Sequence, residues 1–345
     1  MMQGRLLLTM ERAVQYMVEQ VGLPLENVLL GIADRQGKRA RATMISSKRK
    51  LILSLPAAFL LIFLYRFFTV YTVRSGECRP RPVDPELRLV TRDEQGAPVS
   101  FPERRGYPAQ SRPLVVMTYN IEGHATLIDS RHIQQIAGAI NRLHPDIVAL
   151  QEVHRKTWQA RFHDQLAELE AQTGLHGTFT PSYEQWGGQY GNAILTRGEI
   201  LHAEAHPLPC IGEPRALLEA TIRIDGATIS FYTTHLTTWG RLNSRIRTEQ
   251  LHCLAREVRT SRYPYILAGD FNTNPKSPEM EAFRRENAAQ LATREIGPTF
   301  PQWKQQIDYI FADYGWSVRT ARSWPFEGSD HLPVTAELLW GSPPP

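Results

Sequence analysis

"YILAGDFNTNPKSPE" spans Tyr265 to Glu279. Five apolar or small residues run into Asp270, Phe271 and Asn272, and Asn274-Pro275 follows. An apolar run bounded by turn formers reads as a buried strand. Residues i and i+2 of an extended chain face one side, so Asp270 and Asn272 are expected to aim at one target. The same residues also suit an Asx turn, in which a strand-end carboxylate caps the backbone two positions on. The neighbouring segments decide between these readings.

From Leu114 onward strands and helices alternate. "LVVMTYNI" (114–121) and "DIVALQEV" (146–153) read as strands. Between them Ser130 is placed to cap a helix whose Ile133, Ile136, Ala137 and Ile140 form one apolar face. Phe162, Leu166 and Leu169 mark a second helix ending at Gly174, and Leu251, Leu254 and Val258 mark another. Asp225-Gly226 sits between two strand patterns, a hairpin signal. Ser277-Pro278 reads as a cap followed by proline in the first helical turn. "IDYIF" (307–311) and "LPVTAELLW" (332–340) are late strands. Short mixed elements of this kind imply α/β layers around a central sheet.

Polar residues recur at the strand ends. "TYNIEG" closes on Asn120 and Glu122, "ALQEV" on Glu152, "TTHLT" on His235 and "AGDFN" on Asp270 and Asn272. "QIDYI" carries Asp308, and "GSDHLP" presents Asp330 and His331 ahead of the final strand. Strand ends in layered α/β folds converge on one rim. Carboxylates and amides without cysteine suit a hard divalent cation such as Mg²⁺, with Mn²⁺ as the alternative. Two histidines beside that cation can protonate or stabilise charge developing on oxygen. Together these groups are what phosphoester hydrolysis requires.

"TYNI", "PDIVALQEV", "GNAILTR", "THL", "LAGDFN", "IDYIF" and "SDHLPV", in that order, resemble the endonuclease/exonuclease/phosphatase superfamily over about residues 112–341. The resemblance implies a four-layer sandwich of two mixed β-sheets flanked by helices, with the site at one rim. It also implies that Glu152, helped by Asn120, holds the metal, with Asp330 adding a carboxylate nearby. Asp270 would handle the attacking water, and Asn272 and Asn192 would hydrogen-bond the phosphate. His235 would face the scissile phosphate, as would His331 oriented by Asp308. A carboxylate behind an imidazole fixes its tautomer and raises its basicity.

The remainder of the 345 residues has a different character. "LILSLPAAFLLIFLY" (51–65) is uncharged, and with the residues to Val73 it reaches the length of a transmembrane helix. A basic flank (Arg35, Lys38, Arg39, Arg41 and Lys48–Lys50) precedes it, which predicts a single-pass protein with a cytoplasmic N-terminus and an extracytoplasmic catalytic domain. Residues 1–50 form a basic segment in which Met44 is an alternative start, and 74–111 form a Pro/Arg-rich linker. The basic excess lies in residues 1–111, with 17 Lys+Arg against 10 Asp+Glu; residues 112–345 carry 22 against 25. The catalytic part thus lacks the net positive charge of a broad nucleic-acid face.

The expected activity is therefore hydrolysis of a phosphoester by a membrane-anchored diesterase, on a lipid headgroup or other small substrate. The alternatives are an endo- or exonuclease and a non-catalytic binding protein of the same fold. Arg241, Arg245 and Arg247 could draw in an anionic substrate or form a solvated helix face. His124, His132, His144, His154 and His163 match no motif and read as surface or helix-face residues. Three cysteines without a CxxC give no disulfide framework. No protein partner is evident.

Overall fold

The computed structural model describes residues 81–82 and 112–340, apart from 186, 211, 239–240 and 287–288. The expected membrane span at 51–73, the basic segment before it and nearly all of the linker lie outside the described residues. Among the described residues no helix is long and apolar enough to cross a membrane.

Two sheets face each other. The first carries six strands in the order β12 (Trp316–Ser323), β13 (Val334–Trp340), β2 (Leu114–Asn120), β3 (Ile147–Arg155), β5 (Gly188–Thr196) and β4 (His176–Gln185). The second carries seven: β1 (Arg81–Pro82), β6 (Glu199–Leu208), β7 (Arg215–Ile224), β8 (Ala227–His235), β9 (Tyr265–Asp270), β11 (Asp308–Ala312) and β10 (Gln290–Leu291). Each sheet has one parallel pair at its centre, β2 with β3 and β8 with β9, and the other pairings are antiparallel. A parallel pair needs a crossover. Helix α1 (His132–Leu143) lies in the first, and α3 (Arg241–Arg259) in the second. Helices α2 (Gln165–Thr173) and α4 (Pro278–Glu286) complete the α-helices among the described residues.

Strand alternation sorts the side chains into three cores. Leu114, Val116, Ile147 and Ala149 meet Phe231, Ile266, Ala268 and Ile310 between the sheets. Met117, Tyr119, Val148 and Leu150 face outward under Ile133, Ile136 and Ile140 of α1 and Leu166 and Leu169 of α2. Leu267, Phe271, Tyr309 and Phe311 face outward on the second sheet, against Leu251, Leu254 and Val258 of α3 and Met280 and Phe283 of α4. Each such fully buried large side chain contributes about 1.5–3 kcal/mol. The order is helix, sheet, sheet, helix.

The local signals hold with two exceptions. Asp225 (φ 50°) and Gly226 (φ 77°) make the left-handed turn of the β7–β8 hairpin. Ser277 Oγ accepts from Met280 N–H at the start of α4 (3.2 Å), and Gly174 (φ 71°) closes α2. Ser130, however, does not cap α1: the preceding Arg131 has no side-chain cap bond, and Asp129 Oδ1 takes the Arg131 N–H instead (2.8 Å). Phe162 is not part of α2, whose cap is Asp164, and its ring is 62% exposed.

Candidate active site

The apolar ladders of the inner faces end in polar residues at one rim. On β8 the inward sequence is Phe231, Thr233, His235; on β9 it is Ile266, Ala268, Asp270; β11 begins at Asp308. The register pairs His235 with Asp270 and Asp270 with Asp308, so three polar side chains stand in a row facing the first sheet. All are buried. Gly269 of β9 makes this pairing fit, because a Cβ there would lie 2.1 Å from the carbonyl oxygen of Thr234.

The first sheet answers with Asn120 and Glu152. Asn120 ends β2 in the inward parity of Val116 and Thr118. Glu152 has the parity of Val148 and Leu150, which face the helices, and regular β geometry would turn it outward. A bulge corrects this: the β3–β5 register slips between Leu150 and Val153, and Glu152 adopts φ 60°. Bulges re-aim side chains in this way beside active sites. Glu152 then accepts from Asn120 Nδ2 (3.1 Å). Just below, Gln151 ties the sheets together by donating to Thr233 Oγ1 (3.0 Å) and accepting from Thr118 Oγ1 (3.4 Å). The loop after β2 lies directly on the bulge, and a Cβ on Gly123 would sit 2.1 Å from the Glu152 carbonyl oxygen.

One atom gathers the site. Asp270 Oδ2 accepts from Asn120 Nδ2 (3.2 Å), and His235 Nε2 and His331 Nε2 approach it at 3.4 and 3.8 Å. The other oxygen, Oδ1, accepts the Asn272 N–H (2.8 Å). Both readings of the opening segment therefore hold for Asp270: one oxygen makes the Asx turn and the other faces the site. For Asn272 the reasoning fails. The strand ends at Asp270, Asn272 is left-handed (φ 49°), and its Nδ2 donates to Leu236 O (3.0 Å). Asn192 likewise gives one amide N–H to Ala216 O between the sheets (2.9 Å).

His331 arrives from the loop before β13. Its Nδ1 lies 2.9 Å from Asp308 Oδ2, and its ring packs on Phe300. Ser329 fixes the loop, donating its hydroxyl to Asn120 O (2.7 Å) and accepting the His331 N–H (3.1 Å). Burial alone would lower the His331 pKa, but Asp308 raises it to about 10, so the ring is an imidazolium at neutral pH. His235 goes the other way: burial, with the charges of Arg215 and His331, holds it well below the usual imidazole range. Burial and the neighbouring Asp308 push Asp270 up to about 7.

At the mouth, Asp330 N–H donates to Glu122 Oε2 (3.1 Å). Burial and Asp330 raise the Glu122 pKa, and burial and Glu152 raise that of Asp330. The rim thus collects Glu122, Glu152 and Asp330 with too little positive charge to balance them, and His124 approaches Glu122 (3.6 Å) and Glu152 (4.0 Å). This oxygen-rich, undercompensated set fits a hard divalent cation. Asn120 meets its neighbours with its amide nitrogen while its oxygen takes the Glu122 N–H (3.1 Å), so offering that oxygen to a cation requires the amide to turn.

Sequence reasoning named Glu122 among the strand-end acids without giving it a role, and it passed over His124 and Arg215. Glu122 stood two positions from Asn120, a visible signal. His124 read as a surface residue, yet the turn over Gly123 brings it to the mouth. Arg215 carried no signal at all; it is buried at the start of β7, ion-paired to Glu213 (3.0 Å), and its charge bears on His235. His132 is a helix-face residue at the start of α1, buried and bonded to Thr126 and Ile121 O, whereas His154 is neither a surface nor a helix residue: it is buried on β3 and bonded to Thr157. Arg247 is no solvated helix residue either: it is buried, donating to Thr237 O and Thr238 O and pairing with Glu279 (3.2 Å).

The endonuclease/exonuclease/phosphatase family model matches residues 117–331, which takes in every residue of this rim. The chain belongs to the endonuclease/exonuclease/phosphatase family. It is accordingly a hydrolase of the metal-dependent class that acts on phosphoester bonds, and the reading as a non-catalytic binding protein gives way. A family member from Beutenbergia cavernae is 26% identical, with a TM-score of 0.57 over 68% of this chain and 73% of its own. The mannosyl-6-phosphatase of Bacteroides thetaiotaomicron is 19% identical, with a TM-score of 0.53 over 66% of this chain and 100% of its own. TDP2 of D. rerio, solved with a single-strand DNA product, is 17% identical, with a TM-score of 0.56 over 66% of this chain and 99% of its own. The last two share the fold alone. No curated protein matches by sequence.

Proposed function

We propose that this family member is a membrane-anchored phosphodiesterase that hydrolyses a lipid headgroup or another small phosphoester. The observation that carries the chemistry is the single oxygen, Asp270 Oδ2, shared by Asn120 and two histidines of opposite protonation. A carboxylate titrating at about 7 is matched to accepting a proton from water at neutral pH. Asn120 orients that carboxylate. His331, held as an imidazolium by Asp308, offsets negative charge building on the phosphoryl oxygens. Neutral His235 lies beside it as a hydrogen-bond donor. Asn272 and Asn192 each give one amide N–H to a carbonyl and keep the second for a phosphoryl oxygen, while also holding the rim together. Glu152 and Asp330, with Glu122 beside them and Asn120 after its amide turns, would hold Mg²⁺ or Mn²⁺. When bound, the ion supplies Lewis-acid polarisation of the phosphate and a more acidic water. Asp270, Asp308 and His331 also lie close enough to share a cation, but His331 already provides the positive charge there.

Two features support a substrate at a lipid surface. Ile128, Phe162 and Trp158 are 84%, 62% and 54% exposed on the loops that follow Glu122 and the Glu152 bulge. Arg161 ties these loops together by donating to Leu127 O (2.8 Å). Exposed apolar side chains on adjoining loops suit contact with a bilayer interface. The nuclease reading needs cationic side chains at the rim, and Arg247 is turned inward against Glu279.

The test is turnover by the purified protein on sphingomyelin, phosphoinositides, DNA, RNA and a generic phosphodiester, with Mg²⁺ and with EDTA. Metal-dependent turnover of a phospholipid with Glu152→Gln slower by orders of magnitude is expected. Preferential cleavage of DNA or RNA would replace the lipid reading, and full Glu152→Gln activity at low Mg²⁺ would remove Glu152 from the metal site.

A further inference from the structure

A second cluster of ligating side chains lies on the outer face of the second sheet, away from the rim. "HAEAH" (202–206) falls within β6, and its alternation places His202, Glu204 and His206 on one side with alanines on the other. Glu204 is paired directly with Glu219 of β7, and Glu219 with Tyr232 of β8. Two carboxylates facing each other across strands repel unless positive charge offsets them, which an imidazolium or a metal ion can supply. His206 Nε2 is 3.0 Å from Glu219 Oε2, and His202 Nε2 is 3.6 Å from Glu204 Oε2. The ligand atoms of Glu204, His206 and Glu219 all lie within 4.8 Å of one another.

A second, independent observation points the same way. The His206 side chain is 3% exposed, and its Nδ1 has no hydrogen-bond partner, although Glu257 Oε2 of α3 waits 3.6 Å away. Metal-binding histidines characteristically give their other N–H to a carboxylate. Tyr232 already holds the remaining oxygen of Glu219 (2.8 Å). We propose that His206, Glu204 and Glu219 form a structural site for a Zn²⁺-type divalent cation, with Glu257 and Tyr232 orienting His206 and Glu219, and His202 standing beside Glu204. Mixed imidazole and carboxylate donors favour such an ion over Mg²⁺. Donors around a tetrahedral Zn²⁺ stand about 3.3 Å apart, close to the 3.0 Å between His206 Nε2 and Glu219 Oε2. Glu204, Glu219 and His202 are 19–25% exposed, which leaves the ion a way in. The ion would link β6 and β7 directly and α3 through Glu257.

The full-length protein with Mg²⁺ in excess should bind one Co²⁺ or Zn²⁺ per chain, and Co²⁺ should give the visible absorption of a tetrahedral site. That band should persist in Glu152→Gln, which separates the result from any fault in the active-site assignment. Glu219→Gln and Glu204→Gln should each weaken binding at least tenfold. Both positions are partly exposed, so the fold should survive, with far-UV circular dichroism as the check and His206→Ala held in reserve. Absence of the band in the wild type, its survival in the double variant Glu219→Gln/Glu204→Gln, or its loss in Glu152→Gln would each overturn the site.

Discussion

Asp270 carries a cost that its role imposes. Its carboxyl is held above the ordinary range by burial and by Asp308, so the folded state binds that proton more tightly than the unfolded chain does. Stability must then fall as pH rises from the unfolded value near 3.9 through about 7. Asp270→Asn should therefore abolish turnover yet raise Tm at pH 8 in EDTA, with little gain at pH 5, where the native acid is already protonated. Thermal melts at the two pH values decide it, and equal shifts would mean that the charge is relieved in some other way. The neighbouring pair can be tested by a cycle. His331 depends on Asp308 for both charge and orientation, so Asp308→Asn with His331→Ala should be little worse than His331→Ala alone. Asp308→Asn alone should also move the basic limb of the pH–rate profile to lower pH. Additive losses would show that Asp308 works through something other than His331.

At the scale of elements, the β3 bulge and the turn laid over it position the metal-side carboxylate. Gly123→Ala should cost about 2–3 kcal/mol, because the new methyl meets a backbone oxygen that cannot retreat without moving Glu152. Turnover should fall with it. Gly138, inside α1 with open space around its Cα, is the control: alanine there should stabilise by about 0.5–1 kcal/mol and leave turnover alone. Chemical denaturation and initial rates on both variants check this. The contrast also marks what was legible in the sequence. Periodicity of 2 and 3.6 located most of the strands and helices, because a buried face must be written in apolar residues at the spacing of its element. Strand-end polar residues located the rim for the same reason, since a core ladder has no use for Asp270 or His235. The bulge was not legible, because "ALQEV" reads identically with Glu152 facing the helices or the site. Nor was Arg215, whose burial depends on partners brought by other strands. The assumption that Asn272 continues the strand failed for a local reason, since Asp270 spends one oxygen ending it.

For the whole molecule, the membrane span at 51–73 and its orientation remain the main expectation to test. The basic flank predicts that a reporter enzyme active only outside the cytoplasm will work when fused after Pro345. Activity of a cytoplasm-only reporter at that junction would reverse the topology. Deleting residues 1–43 should change neither insertion nor turnover if Met44 is the true start.

The place of β13 bears on how the protein is made. This strand lies between β12 and β2, so the first long strand of the catalytic domain has one side unpaired until the last has been synthesised. His331 and Ser329 travel in the loop just ahead of it. While β13 is still inside the ribosome, Asp270 and Glu152 have emerged but the imidazolium has not. Until β13 is made, the chain lacks His331 at the rim and β2 keeps one open edge, the kind of exposed strand that pairs with other chains.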